Sequence, residues 1–217
     1  MPSTETFPNR RSEVIESRLI AALYNPFLWL GEKLGMAARR RELLAEAHGA
    51  VLEIGAGTGL NLPHYPADLD QLVLTEPGVR MGERIDLGRS TVGMAVRVEQ
   101  AAAEDLPFAD ESFDTVVSTL VLCTVADPQR AMSEVARVLR PGGRLLFLEH
   151  VCAESGWRRA MQRCSARAWA TFADGCHCDR ATLETIEAEM RVESVESGRW
   201  RGMPAIVKPL VWGRAVA

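Results

Sequence analysis

The chain has 217 residues, 47% of them hydrophobic and 25% charged, the size and balance of one folded domain with a proper core, which argues against disorder, collagen-like repeats and a membrane bundle. Its 25 Lys and Arg against 29 Asp and Glu give a formal net charge of −4, so it lacks the clustered basic character of a nucleic-acid binder, and no nucleic-acid partner is expected. No apolar run reaches the ~18 residues of a transmembrane helix; the five cysteines are irregularly spaced and Met1 to Glu5 lack a charged-then-apolar leader, so a reducing cytoplasm is expected.

After a polar tail, Glu13 to Ala47 carries Ile15, Leu19, Ala22, Leu23, Leu28, Leu30, Leu34, Leu43 and Leu44 at near-helical spacing. This predicts two helices broken around Tyr24-Asn25-Pro26. The Arg39-Arg40-Arg41 run, followed by Glu42 and Glu46, reads as a solvated helix face. From residue 50 the pattern changes to short apolar runs, 50–54, 71–75, 95–98, 113–118 and 144–149, each a buried-strand signature. Between them the clearest helix opens at Asp127-Pro128, where Asp caps and Pro suits the first turn. Its apolar stripe is Ala131, Met132, Val135, Val138 and Leu139, stopped by Pro141-Gly142-Gly143. Strand and helix in alternation predict an α/β fold, a parallel sheet with helices on both faces and ligands bound beyond the carboxyl ends of the strands. No linker divides the chain.

Directly after the first strand, Gly55-Ala56-Gly57-Thr58-Gly59 sets glycines at alternate positions, where the missing Cβ allows a tight turn and close ligand approach. A dinucleotide fingerprint would need glycine where Leu60 stands, and no Gly-Lys-Ser/Thr of a phosphate loop follows. Glu53, two residues ahead of the loop, suits a ligand ammonium group. Glu76, at the end of the second strand, suits two ribose hydroxyls. The two carboxylates describe a nucleoside that carries an amino acid.

Over residues 48–150 the sequence resembles the class I S-adenosylmethionine-dependent methyltransferases. The resemblance rests on Glu53 to Gly59, Glu76, Ala103-Glu104-Asp105-Leu106-Pro107-Phe108 with Ser112-Phe113-Asp114, and Arg137 to Gly143. It implies a Rossmann-like, seven-stranded, mostly parallel sheet in a single domain with an N-terminal helical lid. Residues 1–47 would be tail and lid, and 48–217 the methyltransferase domain, with 151–180 a substrate-lid insertion. The implied cofactor is S-adenosylmethionine, held by Tyr24, Glu53, Gly55, Ala56, Gly57, Thr58, Gly59, Asn61, Glu76, Pro77, Met81, Ala103, Glu104, Thr119 and Leu120. Many members have Asp where Ala102 stands, which leaves adenine recognition to Glu104 or a neighbouring backbone group.

A narrower resemblance, in Thr119 to Val125, Glu149-His150-Val151 and Phe172 to Cys176, with Tyr24-Asn25 and the closing Trp212 to Val216, is to the alkyl thiol S-methyltransferases of animal microsomes. Their hydrophobic N-terminal anchor has no counterpart in this sequence, so membrane association is not carried over. Quinone C-methyltransferases and phospholipid N-methyltransferases are similar across the cofactor half. The expected activity is methyl transfer to a small thiol. Its rivals are an O-, N- or C-methyltransferase of a quinone or specialised metabolite, and a non-catalytic cofactor-binding regulatory module.

Because a sulfonium methyl is already activated, no obligatory catalytic side chain is required, and a base only assists. The candidates are His150, which could equally cap its strand, and Asp174, which could equally be a turn residue before Gly175. Trp157, Met161, Trp169 and Phe172 suit either an apolar pocket wall or a buried helix face. Cys176-His177-Cys178 has no partner pair at suitable spacing, so no metal is expected there.

Overall fold

The computed structural model describes residues 18–93, 95–154, 156–173 and 175–217. Two helices, α1 (Arg18–Gly31) and α2 (Ala37–Leu44), precede the first strand. The break between them is not at Tyr24-Asn25-Pro26 as the sequence suggests. Pro26 lies inside α1, where it deletes one amide donor without ending the helix. The chain turns instead at Gly35, whose φ of 130° only glycine adopts readily.

The sheet contains β1 (Ala50–Ile54), β2 (Gln71–Thr75), β3 (Arg97–Glu99), β4 (Phe113–Thr119), β5 (Leu139–His150), β6 (Arg191–Arg199) and β7 (Pro209–Val216), in the spatial order β3-β2-β1-β4-β5-β7-β6. β1 to β5 run parallel, while β7 is antiparallel to both neighbours. The strand order reverses between β1 and β4, the place where an open α/β sheet forms a crevice at its carboxyl edge.

Along each central strand successive side chains enter opposite cores, because the pleat alternates. In β5, Leu145 and Phe147 join one core and Leu146 and Leu148 the other; in β2, Val73 faces away from Leu72 and Leu74. One core is covered by α2 through Leu43 and Leu44. The other is covered by α4 (Pro128–Val138) and α6 (Thr182–Glu189). Asp127 caps α4 by accepting the Arg130 amide at 3.1 Å, and Ala131, Met132, Val135 and Val138 are fully buried. Pro141-Gly142-Gly143 lies past the end of α4, inside β5, where the pairing with β4 shifts register.

α3 (Val79–Gly82) follows β2, and α5 (Gly156–Phe172) follows β5. A buried Gln162 fastens α5. Its amide donates to the carbonyls of Cys178 at 3.0 Å and Ile206 at 2.8 Å, and its oxygen accepts the Ala153 amide at 2.7 Å. Among the described residues no helix is long and apolar enough to cross a membrane.

Candidate active site

The glycine loop leaves β1 with Gly55, Gly57 and Gly59 all at positive φ, 57°, 59° and 77°. Two of them serve different purposes. A Cβ on Gly55 would stand 2.7 Å from a Val121 methyl, so this glycine permits packing of the loop on the segment after β4. A Cβ on Gly57 would meet only Met81 Cε, at 3.8 Å, so that glycine borders open space. Glu76 braces this turn by accepting the amides of Gly57 at 2.8 Å and Gly78 at 2.9 Å. Pro77 beside it is exposed and Met81 is half-buried.

Glu53, next to last in β1, is fully buried and accepts from the Asn61 amide at 2.8 Å and the Tyr65 hydroxyl at 2.8 Å. Burial pushes its carboxyl from 4.5 up to about 7. Asn61 also donates to Thr119 at 3.0 Å, and both accept from Arg40, at 2.8 and 3.0 Å. The ends of β1 and β4 are thus joined by one polar network. Arg40 is only 3% exposed and pairs with Glu32 at 3.2 Å. The solvated-face reading of the arginine run therefore fails for its central member, whose buried partners lie far away in sequence. Arg39 also departs from it by stacking on Trp212, 4.6 Å from the ring centroid.

Thr58 donates to Asn25 at 2.6 Å, which fixes α1 over the glycine loop. Tyr24 is carried there too, and burial pushes its phenol up to about 12. Ala56 and Ala103 are buried, and Glu104 accepts the amides of Ala126 and Asp127 at 2.7 and 3.3 Å at the entrance to α4. Leu120 closes β4 with φ of 61°. This left-handed conformation costs a non-glycine residue ~1–3 kcal/mol and is characteristic of functional sites.

Beside this edge lies a cavity of ≈590 Å³. Leu28, Leu120, Trp200 and Val207 contribute to its walls. Phe27 from α1 packs against Trp169 and Phe172 from α5, with ring centroids 6.4 and 6.1 Å apart, over the same space. Trp157 and Met161 do not share it, because they line a separate depression with Val151, Thr182 and Leu210.

Three polar side chains from separate elements meet in this cavity: Cys123 after β4, His150 at the end of β5 and Cys176 in the turn after α5. Glu149 anchors the segment after β4 by accepting the Ser118 hydroxyl at 2.6 Å and the Val121 amide at 3.1 Å. The His177 amide donates to the Cys123 carbonyl at 2.7 Å, bringing the two Sγ atoms to 3.7 Å. The contact with Cys123, together with His150 alongside, holds the Cys176 thiol low, at about 4, and the same contact with burial holds Cys123 high. Asp174 lies outside the described residues. Sequence spacing drew attention to Cys176-His177-Cys178, yet His177 points to solvent and the partners of Cys176 are 53 and 26 positions away. Arg40 and Tyr65 carried no local signal either, since each acquires its role only through the network at the strand ends.

Residues 52–147 match the family described as "Methyltransferase domain". The chain is 34% identical over 199 residues to thiol S-methyltransferase TMT1A of Homo sapiens, a match spanning 83% of this chain and 79% of the relative. It is 36% identical over 152 residues to phosphatidylethanolamine N-methyltransferase of Cereibacter sphaeroides, spanning 68% and 72%. Among solved structures it resembles the N-methyltransferase NodS of Bradyrhizobium japonicum in complex with S-adenosyl-L-homocysteine, with TM-score 0.62, 18% identity and coverage of 83% and 86%.

Proposed function

We infer the reaction from one premise: the chain belongs to the class I S-adenosylmethionine-dependent methyltransferases, and S-adenosylmethionine is its cofactor. We propose that its acceptor is the sulfur of a small, largely apolar thiol. The observation that carries this reading is the ≈590 Å³ cavity, roofed by Phe27, Trp169 and Phe172 and bearing Cys123, His150 and Cys176. The two relatives named above divide between sulfur and nitrogen as acceptor. Among the described residues lining the cavity there is no carboxylate to balance an ammonium head group. A thiol needs no such partner.

The residues fit the cofactor. The open space above Gly57 is the kind of cradle a Cβ would fill, and the Glu76 carboxylate lies at its edge. We assign the loop 55–59, with Glu76, Pro77 and Met81, to the nucleoside, and Glu53, Asn61, Thr119 and Leu120 to the amino-acid end. Ala103 and Glu104 are assigned to the base, and Tyr24 closes the site from above. Bound there, the cofactor supplies a methyl group activated by a positive sulfur. The protein's own task is to align the thiolate with the methyl–sulfur bond and exclude water, an effect that can supply ~7–11 kcal/mol. The helices within 18–44 and residues 151–180 act as the substrate lid, and His150 eases ionisation of the thiol. The cytoplasmic setting belongs to the same proposal and accords with the five free cysteine thiols.

Labelled S-adenosylmethionine offered with small alkyl and aryl thiols, catechols, amines, quinones and phosphatidylethanolamine vesicles tests this reading. Transfer to thiols is expected. Turnover of another class with every thiol inert would overturn it, and cofactor binding without any turnover would favour the regulatory module.

A further inference from the structure

We propose that Cys123, His150 and Cys176 form a binding site for a thiophilic divalent cation of the zinc type, with its fourth coordination position open to the acceptor cavity. The donor set is two sulfurs and one imidazole, one of the sets in which a catalytic zinc keeps three protein ligands and an open position. The three donor atoms lie within 4.8 Å of one another and all three residues are buried. Two sulfurs at ~2.3 Å from a tetrahedral zinc stand ~3.8 Å apart. The Cys123 and Cys176 Sγ atoms are 3.7 Å apart. His150 is only 5% exposed, and its Nδ1 is buried without a hydrogen-bond partner.

The scaffold around this triangle is fixed from several directions. Arg180 donates to the carbonyls of Leu122 and Val125, both at 2.7 Å, on either side of Cys123. The hydroxyl of Thr182 donates to the carbonyl of His150 at 2.8 Å. All three donor residues line the ≈590 Å³ cavity, so the remaining coordination position faces the space assigned to the acceptor.

The chemistry balances without an oxidant or reductant. Binding the ion as two thiolates sends to solvent any proton that Cys123 or Cys176 still carries. An acceptor thiol then coordinates through sulfur and loses its proton to solvent. That sulfur forms a bond to the transferred methyl carbon as the methyl–sulfonium bond breaks, and the electron pair of the broken bond stays on the departing sulfur. The thioether product is neutral, binds the ion less strongly and leaves. His150 therefore eases ionisation as a ligand to the ion. The role of the open position rests on the thiol reading above; the ion site itself does not.

The test uses the full chain, reduced with a phosphine, stripped with a chelator and titrated anaerobically with Co²⁺ followed by Zn²⁺. One equivalent of Co²⁺ should give thiolate-to-cobalt charge transfer with tetrahedral ligand-field bands, and Zn²⁺ should erase both. Cys123→Ser and Cys176→Ser should lose most of the charge-transfer intensity, whereas Cys164→Ser, at an exposed cysteine, should keep it. Calorimetry with S-adenosylhomocysteine identifies which variants are folded. A small alkyl thiol should shift the cobalt bands. Absence of charge transfer in folded protein with all five thiols free, or its persistence in both cysteine variants, would overturn the site. Charge transfer unmoved by any thiol would overturn the open position. Methylation only of amines or quinones by protein with the normal cobalt spectrum would instead overturn the acceptor reading and leave the ion site standing.

Discussion

Gly55 and Gly57 share nearly the same backbone, φ of 57° and 59°, yet alanine should affect them in opposite ways. The left-handed conformation costs an L-residue ~1–2 kcal/mol at either position. At Gly57 that is the main cost, since the added Cβ meets only Met81 Cε at 3.8 Å, ordinary contact. At Gly55 the Cβ would also lie 2.7 and 2.9 Å from the two Val121 methyls. Overpacking of this kind adds ~1–3 kcal/mol. The ligand should reverse the ranking, because the Gly57 Cβ projects into the proposed nucleoside cradle. Gly57→Ala should weaken S-adenosylhomocysteine binding ~100-fold, or ~2.7 kcal/mol, with a modest fall in Tm, while Gly55→Ala should show the larger fall in Tm. Calorimetric titration and thermal melts on the same preparations read both quantities. A folded Gly57→Ala protein with wild-type affinity would refute the placement of the cradle.

Glu76→Ala should weaken S-adenosylhomocysteine binding by ~1–3 kcal/mol through lost charge-assisted hydrogen bonds. It should also lower Tm, because the Gly57 and Gly78 amides lose their acceptor; calorimetry and a thermal melt check the two effects, and unchanged affinity would remove Glu76 from the site. Glu53 keeps its proton in the fold up to about 7, whereas its ordinary value is 4.5. Its burial therefore costs nothing below the ordinary value, and the cost grows through this window and is complete above it. Glu53 alone should lower stability by ~3 kcal/mol from pH 4.5 to 7; Glu149, whose carboxyl burial also raises, adds a slope of the same sign, so urea denaturation should find a distinctly shallower slope in Glu53→Gln than in the wild type. Binding of the cofactor's ammonium should ionise Glu53 and release a proton near pH 6, measurable by calorimetry in buffers of different ionisation enthalpy.

Much of the sheet was legible in the sequence because central parallel strands are buried on both faces and read as continuous apolar runs. β6 was not, since it lies at the sheet edge, is exposed along nearly its whole length and carries serine and glutamate. The glycine loop and its two carboxylates were visible because their chemistry is local in sequence. Arg40 was misread because its partners Asn61 and Thr119 are 21 and 79 positions away. The Cys123–His150–Cys176 cluster was missed for the same reason. Its members sit on three elements, and adjacency in sequence favoured Cys178, which is buried elsewhere, in the core beside α5. Helix boundaries were legible at Asp127, where cap and proline coincide, and misplaced at Pro26, where tertiary packing overrides the local signal.

The acceptor is the centre of this account, and the most direct measurement is kcat/KM for a small alkyl thiol against an amine and a quinone of similar size, each as a function of pH. The thiol should be turned over with a rate that rises with pH as its thiolate accumulates below a pKa of ~8.5, or with an earlier rise where the protein lowers that value, while the amine and quinone stay at background. Steady turnover of the amine or the quinone, with no methylation of any thiol across the same range, would contradict it.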